Sequence, residues 1–299
     1  MGISQYIKDI GRGKDGARSL DRSQAADLFG QVLDGSVTDL EVGAFCIAMR
    51  IKGETAHEMA GFLDATHARL NLVPDSTLTT VVLPSYNGAR KLPVLTPLLA
   101  LLLAKQGAAV VIHGTATETS RVTSASVLQA LGMNVQTQVA SVAEGQVAMI
   151  PTEVLCPGLK RLLDVRRVVG LRNPAHSLVK LMNPCAGSAL VVGSYTHPEY
   201  AVSMGATFTL TGQHALLLRG TEGEPVADPR RIPQMDIFQS GTSRPLQAAQ
   251  TGSLTQVPNL PGTDATATAN YIQAVLDGEL PVPAPIELQV EHILQAIRI

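Results

Sequence analysis

The chain has 299 residues, 45% of them hydrophobic and 16% charged, with a formal net charge of −2. That length buries one large domain or two ordinary ones and excludes a single small module, and the composition is that of a globular protein. The overall charge by itself predicts no affinity for nucleic acid, three cysteines without a CxxC pair argue against a disulfide framework or a zinc site, and the scarcity of aromatic residues predicts aliphatic cores.

The opening "MGISQYIKDIGRG" has no apolar core region and no cleavage pattern, so the expected location is a reducing cytoplasm. Ile3, Tyr6, Ile7 and Ile10 recur at helical spacing. "GRGKDG", Gly11 to Gly16, matches the dinucleotide pattern GxGxxG, but it follows a helical segment instead of a strand and reads better as a basic loop. Asp21 with Gln24, Thr38 with Glu41, and Thr55 with Glu58 have the spacing of capping boxes and mark three further helices, with Gly35 and Gly53 at the stops. Residues 1–75 therefore read as a small helical domain.

After Pro74, apolar strand-like runs alternate with helical ones: "TTVVL", "LTPLLALLLAKQG", "AAVVIHG", "SVLQALG", then "ALVVGSY" and "HALLLRG". That alternation predicts an α/β domain over 76–299 with a mostly parallel central sheet. The longest apolar run, Leu92 to Ala104, is too short for a bilayer and contains Pro93 and Pro97, so it reads as a buried helix and no membrane partner is expected. Two amphipathic segments, "TANYIQAVLDGE" and "IELQVEHILQAI", close the chain.

In open α/β sheets, ligands gather outside the carboxyl ends of the strands, which points to Pro84–Lys91 and His113–Arg121. The first, "PSYNGARK", has the strand-then-glycine form of a phosphate cradle with a single glycine, Gly88, beside Asn87. The second, "HGTATETSR", offers Thr115, Thr117, Thr119, Ser120 and Arg121 either as anion donors or as a hydroxyl-rich helix cap with Arg121 in solvent. "TEGEPVADPRR" offers Glu222, Glu224 and Asp228 as magnesium ligands or, more simply, as a solvated acidic turn. No HExxH, HxxxH or GxSxG motif is present.

Charge is unevenly spread. Lys160, Arg161, Arg166, Arg167, Arg172 and Lys180 face a single acid, Asp164, giving +5 over 160–180 in a chain whose remainder is −7. Leu159, Leu162, Leu163, Val165 and Val169 fall on one face of a helix there, with Lys160, Asp164 and Arg167 opposite. Such a cluster is a solvated helix face or a contact surface for an anionic partner.

Several of these segments together resemble the anthranilate phosphoribosyltransferase family: "GSVTDLEVGAFCIAMRIKGET", "HG" with "SASVLQALG", "GLRNPAHSLVKLMNP" and "LLLRGTEGE". The resemblance spans the whole chain and implies a helical dimerisation domain, joined in space by helices from about 155–180, leading a glycosyltransferase-like α/β domain. The departures bear on activity. The family's GTGGD loop corresponds to "SYNGARK", its Asn-x-Ser-Thr helix start to Val94, Leu95, Thr96 and Pro97, and its Lys-His-Gly-Asn motif to Ile112, His113, Gly114 and Thr115. Its Asp-Glu metal pair falls on Pro225 and Val226 when Gly220 anchors the alignment. Displacing pyrophosphate needs metal and fixed donors for the leaving group, and most of that set is missing.

These departures are similar to those of the YbiB-like subgroup. That likeness implies a cofactor-free homodimer binding DNA or RNA with little sequence preference, with no catalytic residue. The expected contacts are Lys160, Arg161, Arg166, Arg167, Arg172 and Lys180, extended by Arg90 and Lys91. Asn87, Gly88, His113, Gly114, Thr115, Thr119 and Arg121 then mark a former phosphate site, and Glu222 and Glu224 remain candidates for a shifted metal site. The alternatives are a magnesium-dependent phosphoribosyltransferase with another acceptor, or a dimeric interaction scaffold.

Overall fold

The computed structural model describes residues 2–298 apart from 14, 77 and 256. Helix α1 (Ser4–Ile10) runs into the Gly11–Gly16 turn, of which Lys14 lies outside the described residues. Helices α2 (Arg22–Asp34), α3 (Asp39–Lys52) and α4 (Ala56–His67) each start at an expected capping box: Asp21, Thr38 and Thr55 accept the backbone N–H three residues on, and the side chain there reaches back. Their core is more aromatic than composition suggests. Phe29 stacks on Phe62 with ring centroids 4.6 Å apart, and Phe45 meets both edge-on. A Cβ at Gly61 would lie 2.2 Å from the Arg22 carbonyl oxygen, so α2 and α4 cross at backbone contact.

The α/β part holds a seven-stranded sheet in the order β3-β2-β1-β4-β5-β6-β7. Strands β1 (Thr80–Pro84), β2 (Val110–His113), β3 (Val147–Ile150), β4 (Ala189–Tyr195) and β5 (Ala215–Arg219) are parallel, while β6 (Met235–Gln239) and β7 (Thr242–Gln247) add an antiparallel edge. The central strands are continuous apolar runs because both faces are covered. Val81, Leu83, Val110 and Ile112 pack toward α5 (Thr96–Lys105), α6 (Ser124–Ala130) and two later helices. Val82, Val111 and Val191 face the opposite way, into a core continuous with the helical bundle.

The remaining helices are α7 (Thr152–Leu155), α8 (Pro157–Val169), α9 (Ala175–Leu178), α10 (Pro198–Thr211), α11 (Ala265–Leu276) and α12 (Ala284–Ile297). Helix α8 packs on α2, where a Cβ at Gly158 would lie 2.2 Å from the Leu33 carbonyl oxygen, and α10 packs on α4. The cysteines Cys46, Cys156 and Cys185 are buried and unpaired with one another. Among the described residues no helix is long and apolar enough to cross a membrane.

Candidate functional site

Strand β1 delivers the segment 85–91 to the carboxyl edge of the sheet, and its backbone does form an anion cradle. Asn87 N–H and Gly88 N–H donate to Glu224 Oε1 at 2.7 and 2.8 Å. The Ser85 hydroxyl donates to Glu224 Oε2, as does Thr96 Oγ1 at 3.1 Å. Arg90 N–H and Lys91 N–H donate to the Glu222 carboxylate at 2.7 and 3.0 Å. The anions in the cradle are thus the chain's own, supplied from more than 130 residues downstream.

Two glycines permit the fit. Gly88 has φ of 68°, and a Cβ on Gly223 (φ 87°) would stand 2.1 Å from Asn87 Nδ2. Glu222 itself sits at φ 54°, a left-handed position that costs roughly 1 kcal/mol for a residue with a Cβ and aims its carboxylate at the loop.

This arrangement corrects the reading of the acidic segment as a solvated turn. Glu224 is 1% exposed, so the turn is not solvated. Asp228 is held by Arg230 at 2.8 Å and Arg231 at 3.3 Å. Magnesium would need carboxylate oxygens facing a shared space, whereas those of Glu222 and Glu224 face N–H and O–H donors. Among the described residues no group of three or more His, Cys, Asp or Glu could hold a metal ion. As they stand, Glu222 and Glu224 spend their oxygens on the loop's donors and turn none toward a shared space.

The basic cluster is divided by the fold instead of forming one track. Lys160 pairs with Asp164, and Arg167 reaches Asp164 at 3.4 Å, both on the outer face of α8. Arg161 donates to the Leu33 carbonyl oxygen at 2.7 Å and ties α8 to the end of α2. Arg166 and Arg172 turn the other way and meet Arg90 and Arg121 around a cavity of about 440 Å³, with Glu118 and Ser120 in its wall. Glu118 lies 2.6 Å from Arg166, 3.1 Å from Arg121 and 3.8 Å from Arg172. Burial works to raise the pKa of Glu118, but the Arg166 hydrogen bond and the charges of Arg121, Arg166 and Arg172 outweigh it and hold the carboxyl below its ordinary value. Arg121, expected either as an anion donor or in solvent, also donates to the Asn87 carbonyl oxygen at 3.2 Å. The Lys91 side chain is exposed.

A larger cleft of about 670 Å³ opens beside this pocket, between the α3–α4 junction and the ends of β1 and β4. Lys180 stands in its wall, donating to the Ser194 and Gly223 carbonyl oxygens at 3.1 and 3.0 Å with Tyr86 alongside, its Nζ 6.0 Å from the ring centroid. Burial lowers the Lys180 ammonium to about 8, with Glu224 pulling upward and Arg172 downward. His176 lines the same cleft, and burial followed by the Arg172 and Arg166 charges takes its pKa down to about 4.

The expected former phosphate site is only partly assembled. Asn87, Gly88 and Arg121 converge. His113 does not join them, because its ring is fully buried against the Met182 carbonyl oxygen at 3.3 Å, lines neither cavity, and is lowered to about 4 by burial. Gly114 allows a close approach, since a Cβ there would lie 2.1 Å from the Ser85 carbonyl oxygen. Thr115 is half-buried and Thr119 exposed, and neither lines either cavity; the cap of α6 is Thr123. Glu118, Tyr86, His176 and Ser194 escaped the sequence reading. Of these, Glu118 carried one local signal, its spacing of three from Arg121.

Comparison with known proteins places this geometry. Residues 4–69 match the model "Glycosyl transferase family, helical bundle domain", and residues 91–284 match "Glycosyl transferase family, a/b domain". The chain belongs to this glycosyl transferase family. The uncharacterized protein YbiB of Escherichia coli strain K12 is 40% identical over 305 residues, covering 99% of this chain and 94% of that protein. Anthranilate phosphoribosyltransferase of Anaeromyxobacter sp. strain K is 28% identical, covering 93% of this chain and 83% of the enzyme. The crystal structure of anthranilate phosphoribosyltransferase from Thermus thermophilus superposes with a TM-score of 0.71 at 21% identity, covering 95% and 85% of the two chains. The Saccharomyces cerevisiae enzyme in complex with PRPP and Mg gives 0.70 at 14% identity, covering 99% and 88%. The scaffold is therefore that of the phosphoribosyltransferases, with an N-terminal helical region and a mostly parallel sheet.

Proposed function

We propose that this member of the family binds nucleic acid, DNA or RNA, through phosphate contacts and as a homodimer, in place of transferring a phosphoribosyl group. The observation that carries the reading is the occupied cradle: Glu222 and Glu224 satisfy the backbone donors that a pyrophosphate would need. An incoming polyphosphate would have to expel two carboxylates, one of them buried, and leave them unpaired, a cost that works against binding. Beside the cradle, Arg90, Arg121, Arg166 and Arg172 share a single carboxylate among the described lining residues and keep an excess of positive charge for a polyanion. Guanidinium groups suit phosphate because their donors form a planar fork. The pocket itself is lined by no aromatic side chain among the described residues, which favours backbone contact and little sequence preference within it, while Tyr86, Tyr195 and Tyr200 line the adjoining cleft that shares Arg90, Arg121 and Arg172.

The division of the basic cluster makes the proposal specific. In Arg166→Glu/Arg172→Glu, oligonucleotide affinity drops by at least roughly a hundredfold, since two attractions become repulsions. Lys160→Glu, whose Nζ already pairs with Asp164, changes it only a few-fold. Equal effects in the two variants, measured by fluorescence anisotropy with circular dichroism as a fold control, would sink the assignment to the pocket.

A second reading, a magnesium-dependent phosphoribosyltransferase with another acceptor, draws support from the cleft of about 670 Å³ that the scaffold retains. Calorimetry with phosphoribosyl pyrophosphate and magnesium separates the two, and a saturable heat at millimolar ligand would favour the enzyme.

A further inference from the structure

The arginine pocket contains its own anion. Glu118 comes from the connection between β2 and α6, and its two oxygens contact three of the guanidiniums: Arg166 and Arg172 at one oxygen, Arg121 at the other. The side chains are neither buried nor free, with exposures of 26% for Glu118, 21% for Arg166 and 15% for Arg121. Arg90 stands in the wall of the same cavity, so four cations face one monoanion. A fixed surplus of charge in a half-enclosed space is unfavourable by itself, and Glu118 relieves only part of it. The cavity of about 440 Å³ holds a group much larger than one carboxylate.

We propose that this pocket is a seat for one terminal phosphate monoester, and that Glu118 is an internal stand-in which the phosphate displaces. The chemistry favours a chain end over an internal phosphodiester. A monoester carries close to two charges and three free oxygens, enough for several guanidinium forks at once, whereas a diester carries one charge and must leave the enclosure on both sides. The proposal deepens the nucleic-acid reading by fixing which part of the polymer the pocket takes. The pocket's affinity for phosphate is nevertheless measurable independently of that reading.

The test uses the whole chain and three probes: a short random-sequence oligonucleotide with a 5′-phosphate, the same oligonucleotide with a 5′-hydroxyl, and inorganic phosphate. The expected result is binding of the phosphorylated end at least about tenfold tighter than the hydroxyl end, as one added charge-assisted contact supplies. Glu118→Gln, which removes the competitor and keeps its shape, widens that preference. Arg121→Gln abolishes it, and thermal melting of both variants checks that the fold survives. If Glu118→Gln does not fold, the end preference of the unaltered chain and its loss in Arg121→Gln decide the matter.

Equal affinity for the two ends, with no binding of inorganic phosphate, would overturn the seat while leaving nucleic-acid binding intact. Inorganic phosphate bound in an Arg121-dependent way by a chain that ignores both oligonucleotides would support the seat, identify a small phosphate as its ligand, and overturn the nucleic-acid reading instead. A preference for the phosphorylated end that narrows in Glu118→Gln would show that Glu118 positions the arginines, against its role as a stand-in.

Discussion

Glu224 is the residue on which the site turns. Its carboxylate is buried and accepts from two backbone N–H groups and two hydroxyls, so its loss strands several donors away from water. Glu224→Gln replaces one oxygen by an NH2 group facing donors, and should destabilise the fold by roughly 2–4 kcal/mol; urea denaturation reads this directly, and an unchanged midpoint would contradict the geometry. The histidines give a second handle at this scale. Burial holds His113 and His176 at about 4 against an ordinary value of 6.5, so both are neutral in the folded chain at neutral pH. Between those values the unfolded chain binds more protons than the folded one. Stability present above about pH 6.5 is therefore lost as pH falls toward 4, by on the order of a few kcal/mol in total. Melting temperatures across that range should fall steadily; a flat profile would show that the two rings are not buried neutral.

Helix α3 has two faces with different tasks. Phe45, Cys46 and Met49 enter the bundle core, while Leu40, Ile47 and Ile51 lie along the other side, 83%, 37% and 60% exposed. Three large aliphatic groups at helical spacing on a surface helix, with Gly43 and Ala44 between them, form the face that the proposed homodimer would cover. Ile47→Asp/Ile51→Asp should convert a dimer into a folded monomer in light scattering, and an unchanged mass would remove this face from the interface. The elements most legible in the sequence were those with local causes: the three capping boxes, the Gly35 and Gly53 stops, and the apolar runs that became β1, β2, β4 and β5. Helix α10 was not legible, because its Thr- and Gly-containing sequence "PEYAVSMGATFTLT" has weak helical patterning and is held by packing on α4 and the sheet. Strand β7 carries Pro245, which an edge strand tolerates and a sequence pattern discounts.

At the scale of the molecule, a phosphoribosyltransferase-like scaffold carries a cleft at the carboxyl edge of its sheet, and the cradle after β1 holds two of the chain's own carboxylates. The position of that cradle was readable, because strand ends and glycine turns are local signals. Its occupants were not, because Glu222 and Glu224 reach it from across the sheet, and a carboxylate in a sequence looks the same whether it awaits a metal or caps a loop. The division of the basic cluster was likewise invisible, since it depends on which way α8 and the turn after it aim each arginine and on Glu118, which comes from a separate connection. A molecule built this way should answer to polyanions by charge. The most direct measurement is the anisotropy of a labelled random-sequence oligonucleotide bound to the whole chain as salt rises from about 50 to about 200 mM. With a doubly charged terminal phosphate seated among the four arginines, affinity should fall by at least roughly tenfold over that range. No saturable binding at low salt, or an affinity that salt leaves unchanged, would contradict it.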